Sequence, residues 1–406
     1  MVDIAHLKSL QGKRILVLTP RFPYPPIGGD RLRIYNICKE LSEYCSITLL
    51  SLCDSIEDID RRLTDDVFDE VHCVYLPKWK SYLGALLAVP CLRPLQVGYY
   101  RSKAFREQIH LLAKEHDALL AHLIRTGDAA CGITHIPKFL EMTDAISLNY
   151  KRVSELSKKR SFLESVYRFE STRLRGYEKQ CLSKYEMVTL VSDIDREFLL
   201  EGEENENVLV CSNGVNLDLF PFEIRKPSVS VAVFIGNITS AQNLDACYHF
   251  AEDILPPLHE RLGVRFKIVG KICETDASNL KSYPNVEVTG RVDSISKTVE
   301  RDSVGVCPMR IGAGVQNKVL EYMALGLPTI TSSLGYQGFA AVPNEDILIA
   351  DTVDEYIAHF EQLHADHKFY AQLAQSARKY VESNHNWSAQ LNPMVRKIAA
   401  TLAESS

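Results

Sequence analysis

Absent from these 406 residues is any pair of cysteines at C-x-x-C spacing. Eleven cysteines are present (Cys38, Cys45, Cys53, Cys73, Cys91, Cys131, Cys181, Cys211, Cys247, Cys273 and Cys307), but each stands alone. That argues against a zinc site or a redox pair. Most lie in apolar runs, where cysteine acts as a small core residue, and so many unpaired thiols suit the reducing cytoplasm. Long hydrophobic runs are missing too. The first, over 15–18, is strand-length, and the longest elsewhere, 83–89, falls well short of the roughly 20 residues a spanning helix needs. Met1 to Gln11 is mixed in character, so no export leader is expected. There is no basic excess: the formal net charge is −6, which argues against a general nucleic-acid binder. What remains is globular composition, 46% hydrophobic and 24% charged. The length predicts two domains of roughly 150–220 residues rather than one core.

Both halves repeat one rhythm. In the first, buried-strand patterns at 15–18, 46–52 and 70–76 alternate with a helical pattern in which Leu32, Ile34, Ile37, Cys38 and Leu41 recur at three- and four-residue spacing. In the second, strands are expected at 230–236, 265–270, 285–290, 304–308 and 328–331. Helices are expected at 244–255, ended by Pro256-Pro257, and at 316–325. This alternation predicts α/β architecture with two doubly wound parallel sheets. The domains are placed at 1–220 and 229–385, with 218–228 as a linker. The helical tail from 354 to 402 ends in a segment, 386–406, that either packs on its own domain or crosses back to the first. In open sheets of this kind ligands sit beyond the carboxyl ends of the strands, so the chemistry is sought in those loops.

After the strand at 304–308 comes Arg310-Ile311-Gly312-Ala313-Gly314-Val315-Gln316-Asn317-Lys318, and Glu321 follows one helical turn later. Two glycines let backbone approach a ligand, and free amides at a helix N-terminus suit a diphosphate. Arg310 and Lys318 add positive charge, and Glu321 is placed to accept hydroxyl hydrogen bonds from a ribose. An ordinary surface strand–loop–helix, with Lys318 and Glu321 paired, is the competing reading.

This stretch resembles the donor-binding signature of glycosyltransferase family 4, a family of retaining enzymes with the GT-B fold. It is nearest to a subgroup with "GxxQNKxLEAMAxG" found in exopolysaccharide and cell-envelope gene sets. Other pieces lie in the same order. Val210 to Phe220 resembles "pNGVDxxxF", Phe234-Ile235-Gly236-Asn237 the glycine turn opening the second domain, and Leu325 to Ile330 the "GxPVI" continuation. In the first domain Gly28-Gly29 resembles the family's glycine pair, and Asp117 to His122 its "DvvHxH" strand, with His122 on the final histidine.

The resemblance implies two Rossmann-like domains flanking a cleft and transfer of a sugar from a nucleoside diphosphate sugar. It implies no cofactor or metal, and a UDP-sugar rather than a GDP-sugar. It places His122, Arg310 and Lys318 as catalytic residues. Donor contacts fall to Gly28, Gly29, Gly236, Asn237, Gly312, Ala313, Gly314, Val315, Lys318 and Glu321. Arg125 and Asp144 stand on the acceptor side, although Asp144 is equally placed to cap the next helix. Two departures stand out. Ala313 occupies the position of the first of the family's two glutamates, and the loop after Gly236 carries no cation, which leaves Arg310 and Lys318 to neutralise the diphosphate. A sugar-nucleotide epimerase and a non-catalytic transferase partner are the alternatives.

A glycan or lipid-linked acceptor is expected, with contact at the inner face of the membrane. Residues 79–101 mix Trp79, Tyr82, Tyr99 and Tyr100 with basic residues. Residues 151–179 carry nine basic and four acidic residues on a helical pattern. Such aromatic and basic character is what an anionic lipid surface attracts.

Overall fold

The computed structural model describes residues 7–26, 29–55, 66–91, 93–156, 162–223, 229–300, 302–311 and 315–404. The chain divides into two compact units, Met1–Ser212 with Gln390–Ser406, and Asn213–Ala389. Each holds its own parallel sheet.

In the first unit the strands are β1 (Arg14–Thr19), β2 (Ser46–Cys53), β3 (Glu70–Tyr75), β4 (Ala118–His122), β5 (Lys138–Thr143), β6 (Met187–Leu190) and β7 (Val208–Val210). Their spatial order is β3-β2-β1-β4-β5-β6-β7. All are parallel, with Ile15 beside Ala118 and Leu18 beside Ala121 in the central pair. Ile15, Leu16, Val17 and Leu18 are fully buried, as expected of a strand covered on both faces. From β1 the chain first winds outward through β2 and β3, then returns to β4 and winds the other way. The order therefore reverses between β1 and β4, and a crevice opens at the carboxyl ends of those two strands.

The second unit repeats the plan with β8 (Val231–Ile235), β9 (Arg265–Val269), β10 (Val286–Gly290), β11 (Ser303–Cys307), β12 (Thr329–Thr331) and β13 (Leu348–Ile349). Its order is β10-β9-β8-β11-β12-β13, so the reversal falls between β8 and β11. Here the helix expected to stop at Pro256 does not. Helix Ala241–His249 passes through a wide turn at Phe250–Ile254 into Leu255–Leu262. Both prolines sit in the first turn of that last segment, where a missing N–H breaks no bond.

The expected linker is also partly structured. Arg378 Nη1 donates to the carbonyls of Phe220 (2.9 Å) and Ala324 (2.7 Å), which fastens that stretch to the second unit. Residues 224–228 lie outside the described residues. The last helix, Trp387–Glu404, belongs to the first unit from Gln390 onward. There Leu391, Met394, Ile398 and Leu402 are buried, and Ser9 Oγ donates to the Ala399 carbonyl at 2.8 Å. Among the described residues no helix is long and apolar enough to cross a membrane.

Candidate functional site

Of the sequence-predicted residues that are described, Gly236, Asn237, Val315, Lys318 and Glu321 follow β8 or β11, Gly29 and His122 lie after β1 and at the end of β4, and Asp144 follows β5. In the second unit the loop after β8 and the loop after β11 flank the reversal. Gly236 opens the first. Its carbonyl would lie 1.8 Å from a Cβ on Gly270, whose φ of +142° already demands glycine, so two backbones meet at the tips of β8 and β9. Asn237 shapes the turn: its Oδ1 accepts from Thr239 Oγ1 (2.7 Å), and its carbonyl accepts from Asn243 Nδ2 (2.9 Å).

Helix Asn317–Ala324 supplies the charge. The side chain of its cap residue Gln316 makes no capping hydrogen bond to the helix amides. Lys318 is buried, with Nζ donating to Gln316 Oε1 (2.9 Å) and standing 5.2 Å over the Phe234 ring. Its Cε is 3.5 Å from where a Cβ on Gly236 would stand, so the ammonium is delivered to the tip of β8. Glu321 lies on the same helix face, three residues on. Desolvation pushes its carboxyl up to about 7, against the opposing pull of Lys318.

Two further residues of this loop have partners within the protein. Arg310 forms a two-point ion pair with Asp245 (3.1 and 2.8 Å) and reaches His249 Nδ1 at 3.4 Å. Its charge is thus matched within the protein, leaving Lys318 as the cation of this crevice among the described residues singled out from the sequence. Val315 packs its side chain into the hydrophobic core, so only its backbone is left to meet a ligand. Gly312, Ala313 and Gly314 lie outside the described residues, as does Gly28.

In the first unit the crevice lies between the tips of β1 and β4. Gly29 opens helix Gly29–Ser42, and a Cβ there would meet nothing within 4 Å. His122 ends β4 and is buried, with Nδ1 2.5 Å from Glu141 Oε2 on the neighbouring strand β5. A carboxylate can only accept, so Nδ1 carries the proton. Nε2 is buried with no hydrogen-bond partner among the described residues.

Arg33, on helix Gly29–Ser42, is 1% exposed. It donates from Nε to Glu141 (2.6 Å) and from Nη2 to the Cys211 carbonyl (2.8 Å). Burial alone would raise the Glu141 pKa, but Arg33 and His122 together hold it down to about 2. Thr143 Oγ1 adds a third donor at 3.0 Å. Leu123, just past the tip of β4, and Thr143, the last residue of β5, adopt left-handed backbone (φ 64° and 65°), a strained setting often found beside working side chains.

The acceptor-side residues are near this centre. Arg125 and His122 both lower the pKa of Asp30, together with Arg21, against its burial. Arg125 Nε donates to Gln96 Oε1 (3.1 Å), and its guanidinium lies 5.4 Å from the Tyr100 ring. Asp144 is not the cap of the helix that follows. The Ala145 amide donates to Asp195 and the Ser147 amide to Glu178. Burial and the adjacent Asp195 push the Asp144 carboxyl up to about 7. Asp193 begins helix Asp193–Leu200, which Ser192 caps. Among the described residues no cluster of three or more metal-ligating side chains occurs.

Arg33 and Glu141 form a buried ion pair that no local spacing in the sequence announces. Their signal was a charge in the wrong place: an arginine on the apolar stripe of a helix, and a glutamate inside the run Phe139-Leu140-Glu141-Met142.

Comparison with known proteins supplies independent evidence. The sequence model of the family "Glycosyl transferases group 1" matches residues 229–366, which lie in the second unit. No curated protein sequence matches the chain. Solved structures match over nearly its full length. Sucrose-phosphate synthase from Thermosynechococcus elongatus is 14% identical with a TM-score of 0.72, covering 97% of this chain and 100% of that one. Anabaena HepE in complex with UDP-glucose is 15% identical with a TM-score of 0.63, covering 97% and 100%. Staphylococcus aureus TarM (S. aureus), solved with UDP and alpha-GlcNAc-glycerol among its ligands, is 11% identical with a TM-score of 0.64, covering 95% and 99%. The chain thus has the two-domain GT-B fold, and its second unit is similar in sequence to group 1 glycosyl transferases.

Proposed function

We propose that this protein is a glycosyltransferase of the family 4 type that moves a sugar from a nucleoside diphosphate sugar to a glycan or lipid-linked acceptor, with retention at the anomeric carbon. The observation that carries the proposal is the pairing of Lys318 and Glu321 on one helix face at the β8/β11 reversal, beside the glycine tip of β8. An ammonium and helix-terminal amides suit a diphosphate, and a carboxylate one turn further on suits the two hydroxyls of a ribose.

As the diphosphate leaves, negative charge grows on its bridging oxygen while the sugar becomes oxocarbenium-like. Lys318 and the amides of residues 316–318 stabilise that charge where it develops. In the first unit His122, held by Glu141, presents Nε2 to a hydroxyl of the transferred sugar, and Arg125 and Asp144 contact the acceptor. No residue role here depends on a metal or cofactor. UDP is the favoured nucleotide, supported by its presence in the HepE and TarM structures. The location that suits the unpaired cysteines and a lipid-linked acceptor is the cytoplasm, at the inner face of the membrane.

The direct test is turnover of UDP- and GDP-sugars by the purified protein. Donor hydrolysis or transfer with a UDP-sugar is expected, and faster turnover of a GDP-sugar would reverse the nucleotide assignment. Proton linkage offers a second test. With a carboxyl pKa of about 7 in the free protein, Glu321 is half protonated at neutral pH. Ribose hydroxyls bond to its charged form, so the pKa falls on binding and a proton is released. Affinity for a UDP-sugar, whose diphosphate does not titrate here, therefore tightens as pH rises from 6 to 8. The limit is about tenfold per pH unit. Calorimetric titration of the Glu321→Gln variant is expected to show no such slope, and a flat profile in the wild type would remove Glu321 from the site.

A further inference from the structure

Helix Lys78–Ala88, in the first unit, is sorted by side-chain size in the opposite sense to an ordinary surface helix. Its small residues Ser81 and Ala88 are buried, while Trp79, Tyr82, Leu83, Leu86 and Leu87 are between 46% and 66% exposed. Surface helices normally turn large apolar side chains inward. The cause is a glycine contact. A Cβ on Gly84 would fall 2.4 Å from the Gly98 carbonyl oxygen, and one on Gly98 would fall 2.6 Å from the Ala88 methyl. Helix Leu95–Tyr99 therefore meets the small face backbone to backbone, and no large side chain fits between them. The large ones are left on the outside.

This exposed face is firmly held. The buried Arg173 donates from Nη2 to the Ala88 carbonyl (2.5 Å) and to those of Cys91 and Arg93, all at or just past the end of the helix. Glu170 pairs with Arg173 (2.7 Å) and accepts from the Leu95 amide (2.7 Å). A buried ion pair thus fastens the connection between the two helices. Tyr82 stands edge-on to Tyr99 at 5.5 Å, which braces the aromatic part of the face.

Charge then selects the occupant. From Val71 to Arg106 there is no acidic residue, but there are six basic ones: Lys78, Lys80, Arg93, Arg101, Lys103 and Arg106. Three carboxylates from outside that stretch approach them. Asp54 is 4.0 Å from Lys78, Asp128 is 3.5 Å from both Arg93 and Arg106, and Glu107 is 3.6 Å from Lys103. Lys80 and Arg101 form no ion pair among the described residues. The surplus is positive. The second basic stretch read from the sequence is different. There Arg175 and Lys179 both pair with Glu201, and Arg173 is the buried anchor, so these three charges are spent within the protein.

We propose that helix Lys78–Ala88 is an interfacial anchor that lays Trp79, Tyr82, Leu83, Leu86 and Leu87 into the headgroup region of an anionic bilayer, with Lys78, Lys80 and Arg101 against the lipid phosphates. Exposed apolar patches of this kind mark interaction surfaces. Lysine is depleted from protein–protein interfaces, whereas Trp and Tyr bordered by lysine suit the membrane–water boundary. The anchor gives a place to the lipid-linked acceptor proposed above, but it rests on this face alone.

The test is flotation of the full chain, without donor, on vesicles of 30% phosphatidylglycerol in phosphatidylcholine and on phosphatidylcholine alone. Binding is expected to the anionic vesicles, at least tenfold weaker to the neutral ones, and weakened by 0.5 M salt. Trp79 fluorescence, read in a Trp387→Phe background, should shift to the blue on anionic vesicles only. Leu86→Ser/Leu87→Ser should reduce binding at least tenfold while the melting temperature and donor hydrolysis remain those of the wild type. The proposal is overturned if the wild type does not float with anionic vesicles, or if the double variant floats equally well. It is also overturned if the face instead mediates a dimer, seen by sedimentation and abolished in the double variant, with no vesicle binding. A wild type that does not float yet transfers sugar to a soluble acceptor would sink the anchor and leave the transferase reading standing.

Discussion

Glu141→Ala is expected to lower the stability of the first unit by roughly 3–5 kcal/mol, the usual cost of removing one partner from a buried ion pair. Glu141 is fully buried and Arg33 is 1% exposed, with 2.6 Å between them. Without the carboxylate, Arg33 still donates to the carbonyl oxygens of Cys211 and Ser212 but loses its counter-charge, and His122 Nδ1 loses its acceptor. Glu141→Gln keeps the shape and one acceptor, so its cost is smaller. The pH dependence has a definite sign. The folded-state pKa is depressed, from the ordinary 4.5 to about 2, by Arg33 and His122 acting against burial. The stabilisation is therefore complete above about pH 4.5 and drains away as pH falls toward 2. Urea unfolding should show the wild type and Glu141→Gln converging over that window. A loss below 1 kcal/mol for Glu141→Ala at pH 7 would mean that the pair does not hold the unit together. The double variant Arg33→Met/Glu141→Leu separates stability from function. Replacing a buried ion pair by packed apolar side chains is often neutral or stabilising, so folding should recover. Transfer should not recover, because nothing then holds the His122 ring.

How far the sequence led depends on the distance between interacting residues. The parallel sheets were legible because strands buried on both faces are continuous apolar runs, as at Ile15 to Leu18. Lys318 and Glu321 were legible because three residues along a helix are neighbours by construction. The ion pair of Arg33 with Glu141 spans 108 positions, and that of Arg310 with Asp245 spans 65. No local spacing encodes either one. Arg310 accordingly looked like a ligand for phosphate until Asp245 was seen to hold it. Pro256-Pro257 misled for a related reason. The same dipeptide stops a helix when it lies inside one and starts a helix when it lies in the first turn, and only the turn over Phe250–Ile254 distinguishes the two. Very short strands such as Val208–Val210 and Leu348–Ile349 carry too few residues to show a period.

Lys318→Met is expected to reduce kcat/KM for sugar transfer by about 10²–10³, or roughly 2.7–4 kcal/mol of transition-state stabilisation, the range for deleting one donor to developing negative charge. Methionine retains an unbranched stem over the Phe234 ring and removes only the ammonium, so the fold should be largely preserved. Two effects combine. The leaving diphosphate loses its cation in a loop where the residues after Gly236 offer none. Glu321 also loses the charge that opposes its desolvation, so its pKa rises further and its ribose contact weakens. Both kcat and KM should therefore worsen. Lys318→Arg should not restore activity, because the planar guanidinium is wider than an ammonium at the tip of β8. Arg310→Ala provides the contrast: Asp245 already neutralises that guanidinium, so its loss should cost less than about tenfold, under 1.4 kcal/mol. If Arg310→Ala and Lys318→Met lost activity to the same degree, the diphosphate would have to draw on both cations. If Lys318→Met retained a third or more of the wild-type kcat/KM, the donor site would have to be sought elsewhere in the second unit.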